Sequence, residues 1–148
     1  MEDTFHNNEY LIVDQITYSF EGPQRGDVVI FRYPRDPSKF FIKRVIGIPQ
    51  DTIKIEDNTV TITNEEFPEG MILDEPYVYT ETASNPTVTL GAEEYFVMGD
   101  NRSSSSDSRV WGTLRKDEIL GRVLLRLFPV SEAALFPGAY DLEKNLPE

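Results

Sequence analysis

The sequence contains no cysteine, a single histidine and no long hydrophobic run. Without cysteine there is no disulfide, no thiol nucleophile and no thiolate metal site. A Ser-His-Asp triad would have to use His6, which lies in a polar His-Asn-Asn-Glu segment typical of a solvated loop. No ligand-spaced cluster surrounds this histidine, and we predict neither a metal nor a cofactor. No stretch reaches the ~18 apolar residues of a membrane span.

Positive charge is also scarce. Lysine and arginine number 14 against 26 aspartates and glutamates, which gives a net charge of -12 and a pI near 4.5. This balance argues against a nucleic-acid partner, because a phosphate-binding surface needs clustered lysine and arginine. The chain has 148 residues, of which 39% are hydrophobic, and this composition predicts one globular domain over residues 1–148.

Short β-rich segments follow one another along the chain, separated by proline, glycine, asparagine and aspartate. Such punctuation is typical of mainly-β folds. The sequence predicts strands at 9–16, 27–33, 39–48, 51–63, 77–80, 87–90, 94–98 and 119–128. The segment 51–63 is predicted to be a hairpin that turns at Asp57-Asn58.

The remaining segments are predicted to be largely irregular. Residues 64–76 and 81–86 are rich in proline, glutamate and asparagine, which predicts loops inside the domain. Residues 115–120 are predicted to hold one helical turn. The tail, residues 137–148, is polar, and we expect it to fray.

A lysine interrupts the apolar run FFIKRVI. In an extended strand alternate side chains share a face, so Phe41, Lys43 and Val45 lie on one face and Arg44 lies on the other. Lysine is almost never fully buried unless it is paired. Burial lowers the pKa of the amine, and an amine near neutrality can serve as a general base. Alternatively, Lys43 lies at a sheet margin with its stem packed and its amine in water.

Serine is concentrated in MGDNRSSSSDSRVWG, residues 98–112, which holds five serines, two aspartates and two arginines. Serine-rich runs with aspartate and asparagine usually form turns, in which side chains bond nearby backbone groups. Asp107 and Arg109 are two residues apart and can share a face, and Asp100 and Arg102 have the same spacing. The segment by itself is compatible with a solvated loop or with part of a serine-dependent site.

Together these two segments resemble motifs of type I signal peptidases, the Ser-Lys proteases that cleave secretory signal peptides. FFIKRVIGIPQDTI is similar to the lysine box of that family, in which Lys43 matches the general base. MGDNRSSSSDSRVWG is similar to the box Gly-Asp-Asn-Arg-x-Asn-Ser-x-Asp-Ser-Arg. There Ser105 matches the serine that orients the lysine amine, and Asp107 and Arg109 match a supporting ion pair.

The opening of the chain departs from the family pattern. MEDTFHNNEYLIVD resembles the nucleophile box Ser-Met-x-Pro-Thr: Met1 and Thr4 align with its Met and Thr, and Asp3 replaces its Pro. The resemblance puts the nucleophilic serine immediately before Met1 and a membrane anchor before that serine. The chain as given is therefore expected to be inactive, as a truncated sequence or as a natural chain without a nucleophile. Ser104 replaces the usual Asn, and Gln50 the usual Gly, which concerns loop geometry.

The resemblance implies a mainly-β fold of coiled antiparallel sheets with a β-rich insertion near residues 57–92. It implies a Ser-Lys endopeptidase that removes signal peptides after a small-x-small site. The catalytic domain would lie on the extracytoplasmic side of the cell membrane, and the anchor would be its contact with lipid. Secretory precursors would bind as extended strands at a sheet edge, formed by residues 5–13 or by the segment around Lys43.

Three other interpretations stay open. The chain could be another Ser-Lys peptidase of related fold, such as a self-cleaving repressor domain. It could also be a non-catalytic domain that binds signal peptides without cutting them. Within an enzyme, Ser105 or Ser106 could attack directly with Lys43 as base.

Overall fold

The computed structural model describes residues 1, 4–6, 8–81, 85–140 and 142, and these form a mainly-β fold. The two helices are α1 (Ile16–Glu21) and α2 (Ser108–Trp111). The strands are β1 (Tyr10–Asp14), β2 (Val28–Tyr33), β3 (Asp36–Gly47), β4 (Thr52–Glu56), β5 (Thr59–Thr63), β6 (Met71–Ile72), β7 (Thr87–Thr89), β8 (Glu94–Met98), β9 (Leu114–Arg115), β10 (Ile119–Phe128) and β11 (Ala134–Leu135). Among the described residues, no helix is long and apolar enough to cross a membrane.

The larger sheet has seven antiparallel strands in the order β1-β10-β2-β3-β8-β9, with β11 also pairing with β10. Strands β2 and β3 form a long hairpin in which Lys43 lies opposite Val29. Strand β8 pairs with only the second part of β3, beginning where Met98 lies opposite Arg44. The first part of β3 consequently has a strand partner on one side only, within the part of the chain that the structure describes.

The smaller sheet has four antiparallel strands in the order β6-β5-β4-β7. Its β4-β5 hairpin turns at Asp57 and Asn58, which have φ of 48° and 67°. Both residue types tolerate the left-handed region better than most. The predicted hairpin and its turn are confirmed.

Strand β8 contributes to two separate hydrophobic cores, because its side chains alternate between the faces of the larger sheet. Phe96 and Met98 join the core that includes the smaller sheet, and Tyr95 and Val97 join the opposite core. The first core also contains Ile46, Ile53, Ile55, Val60, Ile62, Met71, Leu73, Tyr77, Leu90 and Leu142. Strand β3 is packed on both faces in the same way, with Ile46 in the first core and Val45 in the opposite one.

The structure corrects the prediction of a strand through residues 9–16. Strand β1 ends at Asp14, whose carboxylate accepts a hydrogen bond from the backbone N–H of Ile16 at 3.1 Å. An aspartate side chain bonded two residues ahead turns the chain, and helix α1 follows. The helical turn predicted at 115–120 is present as a 3-10 turn over Lys116–Glu118.

The prediction of a strand at 77–80 is wrong, and part of the loop predicted at 64–76 is a strand. Strand β6, at Met71–Ile72, supplies the edge of the smaller sheet by pairing with β5. Tyr77 is instead buried, with its ring beneath the guanidinium of Arg44 at 3.9 Å. A buried aromatic side chain that packs against a cation does not need a strand partner.

The expected fraying of residues 137–148 is wrong for the described part of that tail. The Gly138 carbonyl accepts a hydrogen bond from Arg44, the Tyr140 ring lies 5.0 Å from that of Tyr77, and Leu142 is buried in the first core. Residues 141 and 143–148 lie outside the described residues. The apolar side chains within this polar segment fix it to the sheet.

Candidate active site

Lys43 lies on β3, on the face that carries Phe41 and Val45, as the alternation predicts. Its Nζ lies 5.6 Å from the centre of the Phe41 ring, and Phe41 packs against the core that contains Val45. Within the described residues, Nζ has no carboxylate within salt-bridge distance and makes no hydrogen bond. The amine therefore lies against apolar surface, half-buried.

This burial lowers the pKa of the Lys43 amine below its ordinary value of 10.5. The negative charges of Asp107 and Asp100 oppose the shift, and the positive charge of Arg109 adds to it. Desolvation prevails, because removing an ammonium from water costs more than the surrounding charges return. A larger fraction of neutral amine at a given pH is what a lysine base requires.

Ser105 and Lys43 meet at Gly99, the first residue after β8. A Cβ at Gly99 would overlap the Ser105 hydroxyl, and it would lie 2.6 Å from the Ser105 Cβ and 3.7 Å from the Lys43 Cδ. Only glycine leaves the space that the serine side chain occupies. The chain leaves β8 here and returns six residues later to place Ser105 beside the lysine stem.

The hydroxyl oxygen of Ser105 is buried and has no partner of good hydrogen-bond geometry in the described part of the chain. It approaches the Asp107 carboxylate closely enough to help lower the pKa of that group. A buried hydroxyl without a firm partner can accept or donate a bond to an incoming group. It is also too enclosed to attack a substrate carbonyl directly.

Asp107 and Arg109 form a two-bond ion pair beneath this serine. The Nε of Arg109 donates to Asp107 Oδ1 at 2.8 Å, and one Nη donates to Oδ2 at 2.8 Å. Oδ2 also accepts the Gly99 backbone N–H at 3.0 Å, while Oδ1 caps α2 through the Arg109 N–H. Burial raises the pKa of Asp107, but the bonds from Arg109 and Gly99, with the nearby Ser105 hydroxyl, outweigh it, and its pKa lies below the ordinary value.

The opposite face of β3 carries a second, fully buried ion pair. Arg44 donates to the two oxygens of Asp100 at 2.9 and 2.8 Å, and both side chains are 0% exposed. Asp100 Oδ2 also accepts a hydrogen bond from the Thr4 hydroxyl, and Arg44 donates to the Gly26 carbonyl at 3.0 Å. This pair joins the opening segment, the lysine strand and the serine loop.

The structure brings Lys43, Ser105, Asp107 and Arg109 together. Asp100 and Arg102, which share the spacing of Asp107 and Arg109, do not pair with each other; their partners are Arg44 and Glu75. Arg102 begins a 3-10 turn, Arg102–Ser104, and its guanidinium donates to the Gly99 carbonyl and to Glu75.

Other predicted positions have less defined roles. The Thr4 hydroxyl reaches Asp100, and the Met1 carbonyl accepts hydrogen bonds from the N–H groups of Thr4 and Phe5 at 3.0 and 2.7 Å. Ser104, Ser106 and His6 are exposed. Asp3 lies outside the described residues. Gln50 adopts φ of 74°, the left-handed conformation that glycine adopts most readily.

Sequence reasoning missed the partners that hold the serine loop. The motif at residues 98–112 predicts no role for Gly99 and no partner for Asp100. The alternation in FFIKRVI places Arg44 on the face opposite Lys43 but does not indicate its partner. The carboxylate partner of Arg102 is Glu75, 27 residues away in the smaller sheet region. Nothing in its local sequence indicates that contact.

The described residues contain no group of three or more histidine or carboxylate side chains that could hold a metal ion. A cavity of about 390 Å³ lies away from Lys43, between α1 and residues 115–120. The groups that the structure brings to this place are the Lys43 side chain and the Ser105 hydroxyl, both close to Gly99.

Comparison with known proteins identifies the class. A sequence model described as signal peptidase, peptidase S26, matches residues 1–128. A probable signal peptidase I-2 of Synechocystis sp. is 35% identical over 155 residues, an alignment covering 100% of this chain and 67% of that protein. Signal peptidase IB of Staphylococcus aureus is 30% identical over 151 residues, covering 89% and 75%.

A solved structure agrees with these sequence matches. The crystal structure of a signal peptidase I from Enterococcus faecalis V583 superposes with a TM-score of 0.59 at 29% identity, covering 70% of this chain and 97% of that one. Fold and sequence together define a peptidase. The chain belongs to the signal peptidase family, peptidase S26. It spans about two thirds of the length of the Synechocystis relatives.

Proposed function

We propose that this chain is the catalytic domain of a signal peptidase I-type endopeptidase that works by a Ser-Lys dyad. The observation that carries the proposal is the Lys43 amine, held against Phe41 with a lowered pKa and with Ser105 beside its stem. A serine hydroxyl is a weak nucleophile and needs an adjacent base. A neutral lysine is one of the bases that replace histidine in such sites.

In this mechanism the nucleophile is a serine immediately before Met1. The neutral Lys43 amine takes its proton as the hydroxyl attacks the scissile carbonyl, and later returns a proton to the leaving amine. Ser105 orients the amine, and Asp107 with Arg109 fixes the loop that carries Ser105. A polypeptide that begins at Met1, and so carries no serine at this position, should not cleave. Direct attack by Ser105 is disfavoured because its oxygen is buried.

The substrate would bind along β3. Residues 40–43 pair with β2 on one side, while β8 stops at Met98, opposite Arg44. The edge on that side is open within the described residues, and it ends at Lys43. An extended peptide could add there as a strand and bring its scissile bond to the amine. Strand β1 is a less suitable edge, because β10 and β2 separate it from β3.

The likeness to signal peptidases also supports the finer parts of the proposal. The substrates would be secretory precursors cut after a small-x-small site. The domain would lie on the extracytoplasmic side of the cell membrane, held by an anchor that precedes the serine. A topology reporter fused after residue 148 would be active on the outer side, and activity on the cytoplasmic side would contradict this placement.

The decisive experiment adds one serine before Met1 of the full chain and measures cleavage of a precursor peptide with an Ala-x-Ala site. We expect cleavage with the added serine and none without it. Lys43→Ala should abolish it, because general-base catalysis contributes roughly 10²–10⁴-fold. Lys39→Ala is the matched control on the same strand, since Lys39 is 65% exposed and pairs with Asp36. Retained cleavage in Lys43→Ala would contradict the proposal.

The position of the substrate has its own test. Peptides N-methylated at successive backbone positions lose a strand hydrogen bond only where that N–H faces β3. We expect KM to rise for alternate positions and to stay unchanged for those between, which serve as the control. A uniform effect at all positions would rule out strand addition.

A further inference from the structure

A segment of the smaller sheet region packs against the loop that carries Ser105. Glu75, in the connection between β6 and β7, receives both Nη groups of Arg102, one of them at 3.1 Å. The side chains are 1% exposed for Arg102 and 9% for Glu75. The two residues therefore form a buried ion pair with two hydrogen bonds, which connects the β6–β7 connection to the serine loop.

The same arginine holds the backbone of the serine loop at two points. Its Nε donates to the Gly99 carbonyl at 3.1 Å, and its own carbonyl accepts a bond from Arg109 at 2.8 Å. Gly99 borders both Ser105 and Lys43, and Arg109 holds Asp107. Arg102 is therefore connected to Gly99, which borders Ser105 and Lys43, and to the Asp107–Arg109 pair.

Neighbouring contacts strengthen this connection. The Tyr77 hydroxyl donates to Glu75 Oε1 at 2.9 Å, and its ring lies 3.9 Å from the guanidinium of Arg44, the residue after Lys43. Farther along, the Thr80 hydroxyl accepts the Ser103 backbone N–H at 3.3 Å. The segment 75–80 contacts the serine loop and the lysine strand at once.

We propose that Glu75 is a positioning residue for the Lys43 base: by fixing Arg102 it holds the loop 99–105 closed, with Ser105 against the lysine stem. The inference rests on the proposed Ser-Lys function and assigns to the smaller sheet region a role in it. Without the Glu75 carboxylate, the buried Arg102 guanidinium has lost its acidic partner and must be hydrated instead. The loop would then open and let water reach the amine.

The direction of the Lys43 titration separates this role from a purely electrostatic one. The charged groups that act on the amine are Asp107, Asp100 and Arg109, and Glu75 is not among them. Removing a negative charge at long range would lower the lysine pKa slightly. Hydration of the amine after the loop opens would raise it towards its ordinary value.

The test measures this titration in the chain as it exists, without requiring cleavage. The sequence holds five lysines, so ¹³Cε labelling of lysine allows the Lys43 signal to be assigned with Lys43→Met and followed with pH. In Glu75→Gln we expect the Lys43 pKa to rise. Glu69→Gln, an exposed carboxylate of the same sheet region, is the matched control and should leave it unchanged.

Kinetics provide the second readout. With the serine added before Met1, Glu75→Gln should lower kcat by about ten- to a hundredfold with little change in KM, since misplacement of catalytic groups acts on the chemical step. Glu75→Asp keeps the charge and should recover part of kcat; it also serves if Glu75→Gln does not fold. An unchanged or lowered Lys43 pKa in a folded Glu75→Gln chain with full kcat would overturn the inference.

The two proposals fail in distinguishable ways. Cleavage that survives Lys43→Ala would overturn the Ser-Lys function whatever Glu75 does. Loss of cleavage in Lys43→Ala together with wild-type behaviour of Glu75→Gln would leave the Ser-Lys function intact and make Glu75 structural only.

Discussion

Lys43 and Arg44 are adjacent basic residues on one strand, but they differ in burial and in their partners. Arg44 is 0% exposed and donates to both oxygens of Asp100, and its other Nη donates to the carbonyls of Gly26 and Gly138. Lys43 is half-buried beside Phe41, and the described residues give its amine no acceptor at hydrogen-bond distance. On one face of β3 the buried Arg44 charge has a carboxylate partner, and on the other the half-buried Lys43 amine has none among the described residues.

The difference has a physical basis: one face of β3 carries a buried ion pair, and the other carries the amine that we propose as the base. A guanidinium stays charged at every ordinary pH, so burial requires a matched carboxylate, which Asp100 supplies. An ammonium can instead lose its proton when it is dehydrated. The arginine pair connects the strand to the loop, while the lysine has a lowered pKa, which the proposed proton transfer requires.

The largest expected effect comes from breaking the buried pair. Arg44→Met leaves Asp100 without its cationic partner, and we expect the free energy of unfolding to fall by about 3–5 kcal/mol. The measurement is urea denaturation. Lys43→Met, the same change one residue earlier, should alter it by less than about 1 kcal/mol, because no buried partner charge is left behind.

The double variant Arg44→Met with Asp100→Leu sharpens that result. Replacing both charges removes the uncompensated carboxylate, so it should recover much of the lost stability. Equal losses in Arg44→Met and Lys43→Met would show that the two cations do not differ in the way that the contacts indicate.

A smaller effect is expected from closing the space that Ser105 occupies. Gly99→Ala puts a methyl group into the Ser105 side chain, so the serine or the loop must move. In the chain with the added serine we expect cleavage to fall about ten- to a hundredfold, with a loss of about 1–3 kcal/mol in stability. Gly91→Ala is the control, because a methyl there meets only the flexible Glu94 side chain.

Full cleavage by Gly99→Ala would show that Ser105 does not need its observed place. Replacement of Ser105 by glycine within the Gly99→Ala chain adds a second comparison, because it removes both the hydroxyl and the Cβ that the new methyl would meet. If Gly99 matters only by admitting the Ser105 side chain, the double variant should regain part of the stability without regaining activity.

The smallest expected effect is the pH dependence that follows from the lowered Lys43 pKa. In the proposed mechanism the neutral amine is the active form, so kcat/KM should rise with pH through an apparent pKa below 10.5. In the folded state the proton is bound less tightly than in the unfolded state. Native stability, measured relative to Lys43→Met, should therefore rise with pH between the lowered pKa and 10.5.

Denaturation of both chains across that pH range checks the sign. A stability difference that falls as pH rises would mean that the folded protein stabilises the ammonium, as it does the Arg44 guanidinium. Lys43 would then be a structural cation, and a rate that is independent of pH up to 10.5 would agree with that.

Much of the architecture could be predicted from local patterns. The alternation in FFIKRVI predicts which face each cation takes, and Asp57-Asn58 predicts the hairpin turn, because both depend on nearest neighbours. Helix α1 and strand β6 were missed, since an aspartate turn and a pairing with β5 decide them. The tail was misjudged because Leu142 becomes apolar contact area only once the core exists.

The sequence by itself determined the faces of β3, which depend on the period of a strand. Its motifs also carry the resemblance to the family, and that resemblance proposes Lys43, Ser105, Asp107 and Arg109 as the site. Only the tertiary structure decided which charged residues form ion pairs with each other. Asp100 and Arg102 have the spacing of a pair, yet Asp100 binds Arg44 and Arg102 binds Glu75. Ion pairs depend on distance in space and on shared burial, and both arise from the packing of the two sheets rather than from spacing along the chain.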